Sequence, residues 1–187
     1  EVERRLHSLG ARVHELVEEN EYAFRVSLEY SGDLKKRADF VEDVPDVEVL
    51  SLGNSLEIVK DLGDAETVAG GYQLNEFTGT HAIGHVRMAT ESDVDISGAH
   101  PYWAYPFSDI AVVHNGQLTN YFHWKRRLER NGHRFQSECD SEIIAVYLAE
   151  QMSEGASLED AMRQSLEELD GVFTYVCVTG DALGVAK

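Results

Sequence analysis

The stretch Gly84-His85-Val86-Arg87-Met88-Ala89-Thr90 places a charged side chain where a strand is expected to end. Side-chain character alternates with a period of two over residues 81–86, which predicts a strand just before Arg87. A guanidinium keeps its charge at any working pH and can bind a carboxylate through two hydrogen bonds. We therefore expect Arg87 to be a fixed cation for a carboxylate, with a structural ion pair as the alternative.

A second motif, His114-Asn115-Gly116, follows the short apolar stretch 110–113, which predicts a buried strand ending in a tight turn. Such a turn offers a side-chain amide beside a backbone N–H. Attack on an amide carbon creates an oxyanion, which two neutral donors can stabilise. Glycine also lets the backbone approach a substrate closely. We expect Asn115 and Gly116 to supply these donors, and a purely structural turn is the alternative.

The third motif, Asp140-Ser141-Glu142, stands at the start of a predicted helix. The simplest interpretation of Asp140 is a helix N-cap. The functional interpretation pairs its carboxylate with a substrate ammonium, and a carboxylate has acceptor sites for both roles. Together with Arg87, this carboxylate could hold a zwitterionic amino acid at both of its charged ends.

In order and residue type, the three motifs resemble those of the class II glutamine amidotransferases, which free ammonia from glutamine. The resemblance covers residues 80–187 well and residues 1–79 loosely. It implies one domain over 1–187 with an α+β fold, the four-layer αββα sandwich of N-terminal nucleophile hydrolases. It also implies that Arg87 binds the glutamine carboxylate and Asp140 its ammonium, that Thr90 contributes to substrate binding, and that Asn115 and Gly116 form the oxyanion hole.

The nucleophile of that family is a cysteine at the first position of the mature chain, and its own α-amine serves as the base. This sequence begins with Glu1, and neither Cys139 nor Cys177 is terminal. Because Glu1 opens within a helical pattern and Lys187 ends an apolar run, we expect a segment of a longer protein with the cysteine upstream. The alternative is a catalytically inactive amidotransferase-fold scaffold subunit of a multi-subunit synthase.

Met88 and Glu91-Ser92 depart from the usual family pattern and resemble the amidotransferase subunits related to glutamate synthase and N-methylglutamate synthase. This resemblance implies L-glutamine as substrate and ammonia delivery to a partner synthase subunit or domain. It therefore implies a hetero-oligomer. No cofactor is expected in this domain, and a flavin or an iron–sulfur cluster is possible in the partner.

Composition and spacing argue against several other classes. A formal charge of −18 disfavours nucleic acid, and the absence of a long apolar run or signal peptide predicts no membrane contact and a cytoplasmic location. His81, His85, His100 and His114 could be metal ligands, but the first two would need a helix to converge and are expected in a strand, and no established ligand spacing is present. We expect no metal, and a metal-binding hydrolase is the least favoured alternative.

Periodicity and capping residues also predict the individual elements, and their order, strands then helices then strands, describes an α+β layered domain. Helices are expected over residues 3–19, 34–42, 54–62 and 121–130 and from residues 140 and 158. Strands are expected over residues 23–30, 47–52, 81–86, 110–113, 172–179 and 182–186. Residues 63–79 are turn-rich and give no clear prediction.

Overall fold

A computed structural model describes residues 1–87 and 95–187 of the chain. The chain forms two compact units, one of residues 1–50 and 63–78 and the other of residues 51–62 and 79–187. The expectation of a single domain over 1–187 stays a prediction. In the described part of the chain, no helix is long and apolar enough to cross a membrane.

The smaller unit packs two helices against a two-stranded antiparallel sheet. Its elements are α1 (Val2–Ser8), β1 (Arg12–Glu18), β2 (Phe24–Glu29), α2 (Leu34–Glu42), α3 (Ala65–Gly71) and a 3₁₀ turn (Leu74–Glu76). The helix predicted over 3–19 is wrong beyond Ser8, because Gly10 adopts a φ of 81° and the chain continues as β1. Part of the predicted apolar face is nevertheless buried, because Leu6 belongs to the hydrophobic core of this unit.

Three further predictions concern the smaller unit, and capping residues account for its helices. The helix predicted over 34–42 is confirmed as α2, and the Asp33 carboxylate accepts a hydrogen bond from the Lys36 N–H at 2.7 Å. The strand predicted over 23–30 is confirmed as β2. The strand predicted over 47–52 is wrong, because these residues form no ladder. Within the stretch that gave no clear prediction, Asp64 caps α3.

The larger unit is built on a four-stranded antiparallel sheet of order β3-β4-β5-β6. Its strands are β3 (Tyr102–Trp103), β4 (Ile110–Leu118), β5 (Gly171–Thr179) and β6 (Leu183–Ala186). The last two strands are confirmed close to their expected bounds. The strand predicted over 81–86 is wrong, because this stretch has no regular secondary structure.

Three helices cover one face of this sheet: α4 (Tyr121–Arg130), α5 (Asp140–Ser153) and α6 (Leu158–Glu168). All three were expected from the sequence. Helix α5 is buried continuously from Ser141 to Glu150, because it packs on β4 and β3 and contacts both other helices. Side chains of even-numbered β4 residues and odd-numbered β5 residues meet it, including Val112 and Cys177. The α+β layering predicted from the sequence is confirmed.

Candidate active site

Asn115 and Gly116 lie inside β4, where they pair with Thr174 and Phe173 of β5. The tight turn predicted here is wrong, because pairing with β5 carries the strand on to Leu118. Gly116 has a φ of 140°, and a Cβ atom added to it would lie 2.2 Å from the Val172 carbonyl oxygen. Glycine is therefore required here for a close approach between two strands.

Beyond its pairing with β3 at Ala111 and Val112, the edge of β4 opposite β5 carries backbone donors. The Leu118 N–H points away from β5, because it donates to the Asp140 carboxylate at 2.7 Å. Amides of an antiparallel strand alternate in direction, so the Gly116 N–H points to the same edge as that of Leu118. Two residues of strand separate these amides by about 7 Å. The carboxylate of Asp140 and the Gly116 N–H therefore share one edge of the sheet.

Asp140 is the first residue of α5, and Cys139 occupies the N-cap position without a side-chain capping bond. The simple N-cap interpretation of Asp140 is therefore wrong. One carboxylate oxygen accepts the Leu118 N–H, and the other lies 3.7 Å from Nδ1 of His114. These contacts tie the first turn of α5 to β4.

The other two residues of the third motif bind different segments. The Ser141 hydroxyl lies 2.8 Å from Nδ1 of His114 and 3.0 Å from Nε2 of His100. The buried Glu142 carboxylate accepts the backbone N–H groups of Gln136 and Ser137, each at 2.8 Å. Sequence reasoning assigned a role to Asp140 alone. The contiguity of the Asp-Ser-Glu motif was the signal that could have included its neighbours.

Three histidines form a cluster beside Asp140. The rings of His85 and His100 lie 4.2 Å apart, and Ser141 joins His100 to His114. Burial, followed by the neighbouring His85, His114, Arg87 and Lys60, lowers the pKa of His100 to about 3. Burial also lowers the pKa of His114, although the Asp140 carboxylate opposes this shift. Both rings are neutral at neutral pH.

Arg87 lies on the His85 side of this cluster. A Cβ atom on Gly98 would come within 2.7 Å of an Arg87 Nη atom, so the guanidinium packs directly over this glycine. Burial, and then the charge of Arg87, lowers the pKa of His85. A chain of contacts thus runs from the neighbours of Arg87 to Asp140. Convergence of Arg87 with the other three residues in one pocket stays a prediction, and Thr90 lies outside the described residues.

The two cysteines differ in their surroundings. Burial raises the pKa of Cys177 to about 12, as expected for an inert core thiol. Cys139 is partly exposed, and its Sγ lies 3.5 Å from the Ser141 hydroxyl oxygen and 3.7 Å from Asp140.

Among residues 1–87 and 95–187, no group of three or more His, Cys, Asp or Glu side chains could hold a metal ion.

A family model described as "Glutamine amidotransferase domain" matches residues 85–185, which is more than half of the chain. The chain belongs to the class II glutamine amidotransferases. The matched residues of this amidotransferase chain contain the three histidines, β4 and the first turn of α5. They also contain all five residues predicted for the site. The recognition made from the three motifs is confirmed at the level of the family.

Individual relatives agree with this assignment. The amidotransferase chain is 43% identical over 166 residues to the "Putative glutamine amidotransferase" of Methanothermobacter thermautotrophicus, covering 89% of this chain and 54% of the relative. It is 41% identical to the glutamine amidotransferase-like protein GlxB of Rhizobium meliloti, covering 76% of this chain and 47% of that protein. The chain therefore spans about half the length of these curated relatives.

A solved structure supports the fold. The glutamine phosphoribosylpyrophosphate amidotransferase of B. subtilis matches with a TM-score of 0.52 at 30% identity, over 64% of this chain and 26% of that one. The expected N-terminal nucleophile hydrolase fold is thereby confirmed. In the larger unit of the amidotransferase chain, the described residues supply a helical layer and the sheet beneath it.

Proposed function

We propose that this chain is the glutaminase part of a synthase, which hydrolyses glutamine to glutamate and supplies ammonia to a partner subunit or domain. In this proposal Asp140 binds the glutamine ammonium, Arg87 binds its carboxylate, Thr90 contributes to substrate binding, and Asn115 and Gly116 stabilise the oxyanion. The supporting observation is the edge of β4 opposite β5, where the Asp140 carboxylate accepts the Leu118 N–H and the Gly116 N–H lies about 7 Å along the strand from that of Leu118. This spacing is comparable with the length of a glutamine molecule.

The electrostatics of the described residues support the same assignment. Asp140 accepts a single backbone N–H and has a neutral imidazole and the Cys139 thiol beside its other oxygen, so none of these contacts supplies a cation for its negative charge. A substrate ammonium could therefore supply the missing positive charge. Such a charge-assisted hydrogen bond is about twice as strong as a neutral one.

The nucleophile in this proposal is the thiolate of an N-terminal cysteine in the full-length protein. The α-amine of that cysteine takes the thiol proton, the thiolate attacks the side-chain amide carbon of glutamine, and the protonated α-amine gives the proton to the leaving nitrogen, so that ammonia leaves as the thioester forms. Water then cleaves the thioester and gives glutamate and the free thiol. Asn115 and Gly116 would donate to the oxygen that becomes negative in both steps.

Ammonia is useful only where it is captured, so the proposed assembly includes a synthase related to glutamate synthase or N-methylglutamate synthase. The partner would carry any flavin or iron–sulfur cluster, and the complex would be a hetero-oligomer. Departures from the usual motif at Met88 and Glu91-Ser92 support this subfamily.

The first test concerns Asp140→Asn in the full-length protein. The amide oxygen of asparagine can still accept the Leu118 N–H, so we expect the melting temperature to change by less than about 2 °C. Loss of the charge should raise the KM for glutamine about tenfold or more, which corresponds to about 1.4 kcal/mol. Steady-state glutaminase assays and thermal denaturation measure the two effects.

Asp160→Asn is the matched control, because Asp160 also lies in the first turn of a helix and is exposed. It should leave the KM for glutamine unchanged. A collapsed melting temperature with an unchanged KM would show that Asp140 is purely structural. Intact mass and N-terminal sequencing of the full gene product complete the test. A mature protein without an N-terminal cysteine and without glutaminase activity would indicate a scaffold subunit.

A further inference from the structure

A chain of buried polar side chains joins the first turn of α5 to β4 and to the segment before β3. Ser141 is 2% exposed, His114 is 4% exposed and His100 is 9% exposed. The Ser141 hydroxyl oxygen lies within hydrogen-bond distance of both imidazoles. Buried polar groups are costly unless they are paired, and the Ser141 hydroxyl supplies a partner for each of the two imidazoles.

The first turn of α5 contacts β4 at two points. Asp140 accepts the N–H of Leu118, and Ser141 contacts Nδ1 of His114. These two positions of β4 flank the Asn115-Gly116 pair on either side. Any sliding of α5 along the strand would break both contacts together. The position of Asp140 relative to Gly116 is therefore set by both contacts.

The number of hydrogens on Ser141 restricts the proton positions. Its hydroxyl has one hydrogen, so it can donate to one imidazole while it accepts from the other. The Asp140 carboxylate, 3.7 Å from Nδ1 of His114, favours a proton on that nitrogen. His114 then donates to Ser141, and Ser141 donates to Nε2 of His100. Nε2 of His114 is left unprotonated and Nδ1 of His100 carries the proton, and neither nitrogen has a hydrogen-bond partner among the described residues.

Neutral rings suit this arrangement. Burial lowers the pKa of both His100 and His114, so neither ring carries a charge at neutral pH. A protonated His114 would form an ion pair with Asp140 and would repel a substrate ammonium. The neutral ring instead orients the carboxylate through a polarised N–H and leaves its charge available.

We propose that Ser141 is a positioning residue, which fixes His114 in its Nδ1-protonated form and thereby holds Asp140 beside Gly116 for the ammonium of an amino acid. The identity of that amino acid rests on the proposed function. The geometry of the Ser141 contacts does not depend on it.

The kinetic test uses the full-length protein. Ser141→Ala removes the hydroxyl that contacts both imidazoles and the Cys139 thiol. It should raise the KM for glutamine about tenfold while kcat changes less than about threefold, because the ammonium end lies away from the reacting carbon. Ser141→Thr keeps the hydroxyl and should restore most of the affinity. Ser165→Ala is the matched control, because Ser165 is a buried helix serine with its hydroxyl bonded to Tyr175 and Met162. It should lower stability without changing the KM.

A second readout needs no activity. Long-range ¹H–¹⁵N spectra of the imidazole nitrogens should show His114 neutral and protonated at Nδ1, and this signature should be lost in Ser141→Ala but kept in Ser165→Ala. A proton on Nε2 of His114, or a KM shift in Ser141→Ala no larger than in the control, would overturn the proposal. Absence of glutaminase activity would refute the proposed function, and the imidazole spectrum would still decide the role of Ser141.

Discussion

At the scale of single residues, Gly116 occupies a restricted backbone position near the candidate site. Its φ of 140° is in a range that favours glycine, and the Val172 oxygen fills the place where a Cβ would stand. Gly132, which follows α4, has a φ of 94° but no atom within 4 Å of an added Cβ. A comparison of substitutions at Gly116 and Gly132 therefore separates the effect of backbone strain from that of steric overlap.

Gly116→Ala should lower the free energy of unfolding by at least about 3 kcal/mol, because β4 and β5 must move apart. Gly132→Ala should cost only about 1 kcal/mol, from the positive φ alone. Urea denaturation of the two variants checks this difference. Equal losses would mean that the strands accommodate the methyl group at Gly116 without displacement.

His100 should make stability depend on pH. Its pKa is lowered from 6.5 to about 3 in the folded state, chiefly by burial. Below pH 6.5 the unfolded chain binds a proton that the folded chain does not, so the free energy of unfolding falls as the pH drops. This contribution is present above pH 6.5 and is lost progressively toward pH 3.

Between pH 7.5 and 5.5, the His100 contribution to the free energy of unfolding should fall by about 1.4 kcal/mol. His100→Gln should flatten the pH dependence by that amount, and His114 should account for part of the remaining slope. Urea denaturation at three pH values measures it. The control is His123→Gln, at an exposed position of α4. A slope that is the same in both variants would contradict the assignment.

At the scale of elements, residues 54–62 form no helix although a capping residue at their start predicts one. Backbone N–H groups of Asn54, Ser55 and Leu56 instead donate to the Asp109 carboxylate at 2.8–2.9 Å. Three backbone donors gathered on one carboxylate orient this segment toward Asp109, because each N–H must point at the same acceptor. A residue more than fifty positions away in sequence therefore decides the conformation of this segment.

Asp109→Ala should lower the free energy of unfolding by about 2–4 kcal/mol, because three backbone donors lose a charged acceptor. Asp109→Asn retains an acceptor oxygen and should cost about half as much. Hydrogen exchange of the amides of residues 54–56 locates the effect, and protection there should fall most in the alanine variant. Unchanged protection at these amides would contradict the role given to Asp109.

At the scale of the whole molecule, the sequence carries a large excess of negative charge. Acidic residues number 34 against 16 basic residues, and the formal charge is −18. Like charges on a compact molecule repel one another and destabilise it. Exposed ion pairs such as Arg163–Glu159 contribute little to offset this repulsion.

Raising NaCl from about 20 mM to about 300 mM should therefore increase the melting temperature of the 187-residue chain by about 3 °C, because the Debye length falls below about 10 Å. Near pH 4.7, where the net charge of the sequence approaches zero, the increase should largely disappear. A melting temperature that falls with salt at pH 7 would show that local ion pairs outweigh the net repulsion.

The sequence by itself determined the elements that depend on local signals, and it determined the family. Helices α2, α4, α5 and α6 begin within a residue of their predicted starts, because capping residues and apolar periodicity act over a few positions. Motif order alone was sufficient to recognise the amidotransferase family, since it records residue types rather than distances. The candidate residues Arg87, Asn115, Gly116 and Asp140 were all named from these motifs.

Only the tertiary structure decided how several of those residues are used. Asn115 and Gly116 lie in a strand rather than a turn because β5 pairs with them from more than fifty positions away. Asp140 bonds to Leu118 and Ser141 to two histidines, because packing of α5 on β4 brings these groups together. Backbone donors and acceptors accept whichever partner packing brings near, and local sequence carries no record of a partner on another element.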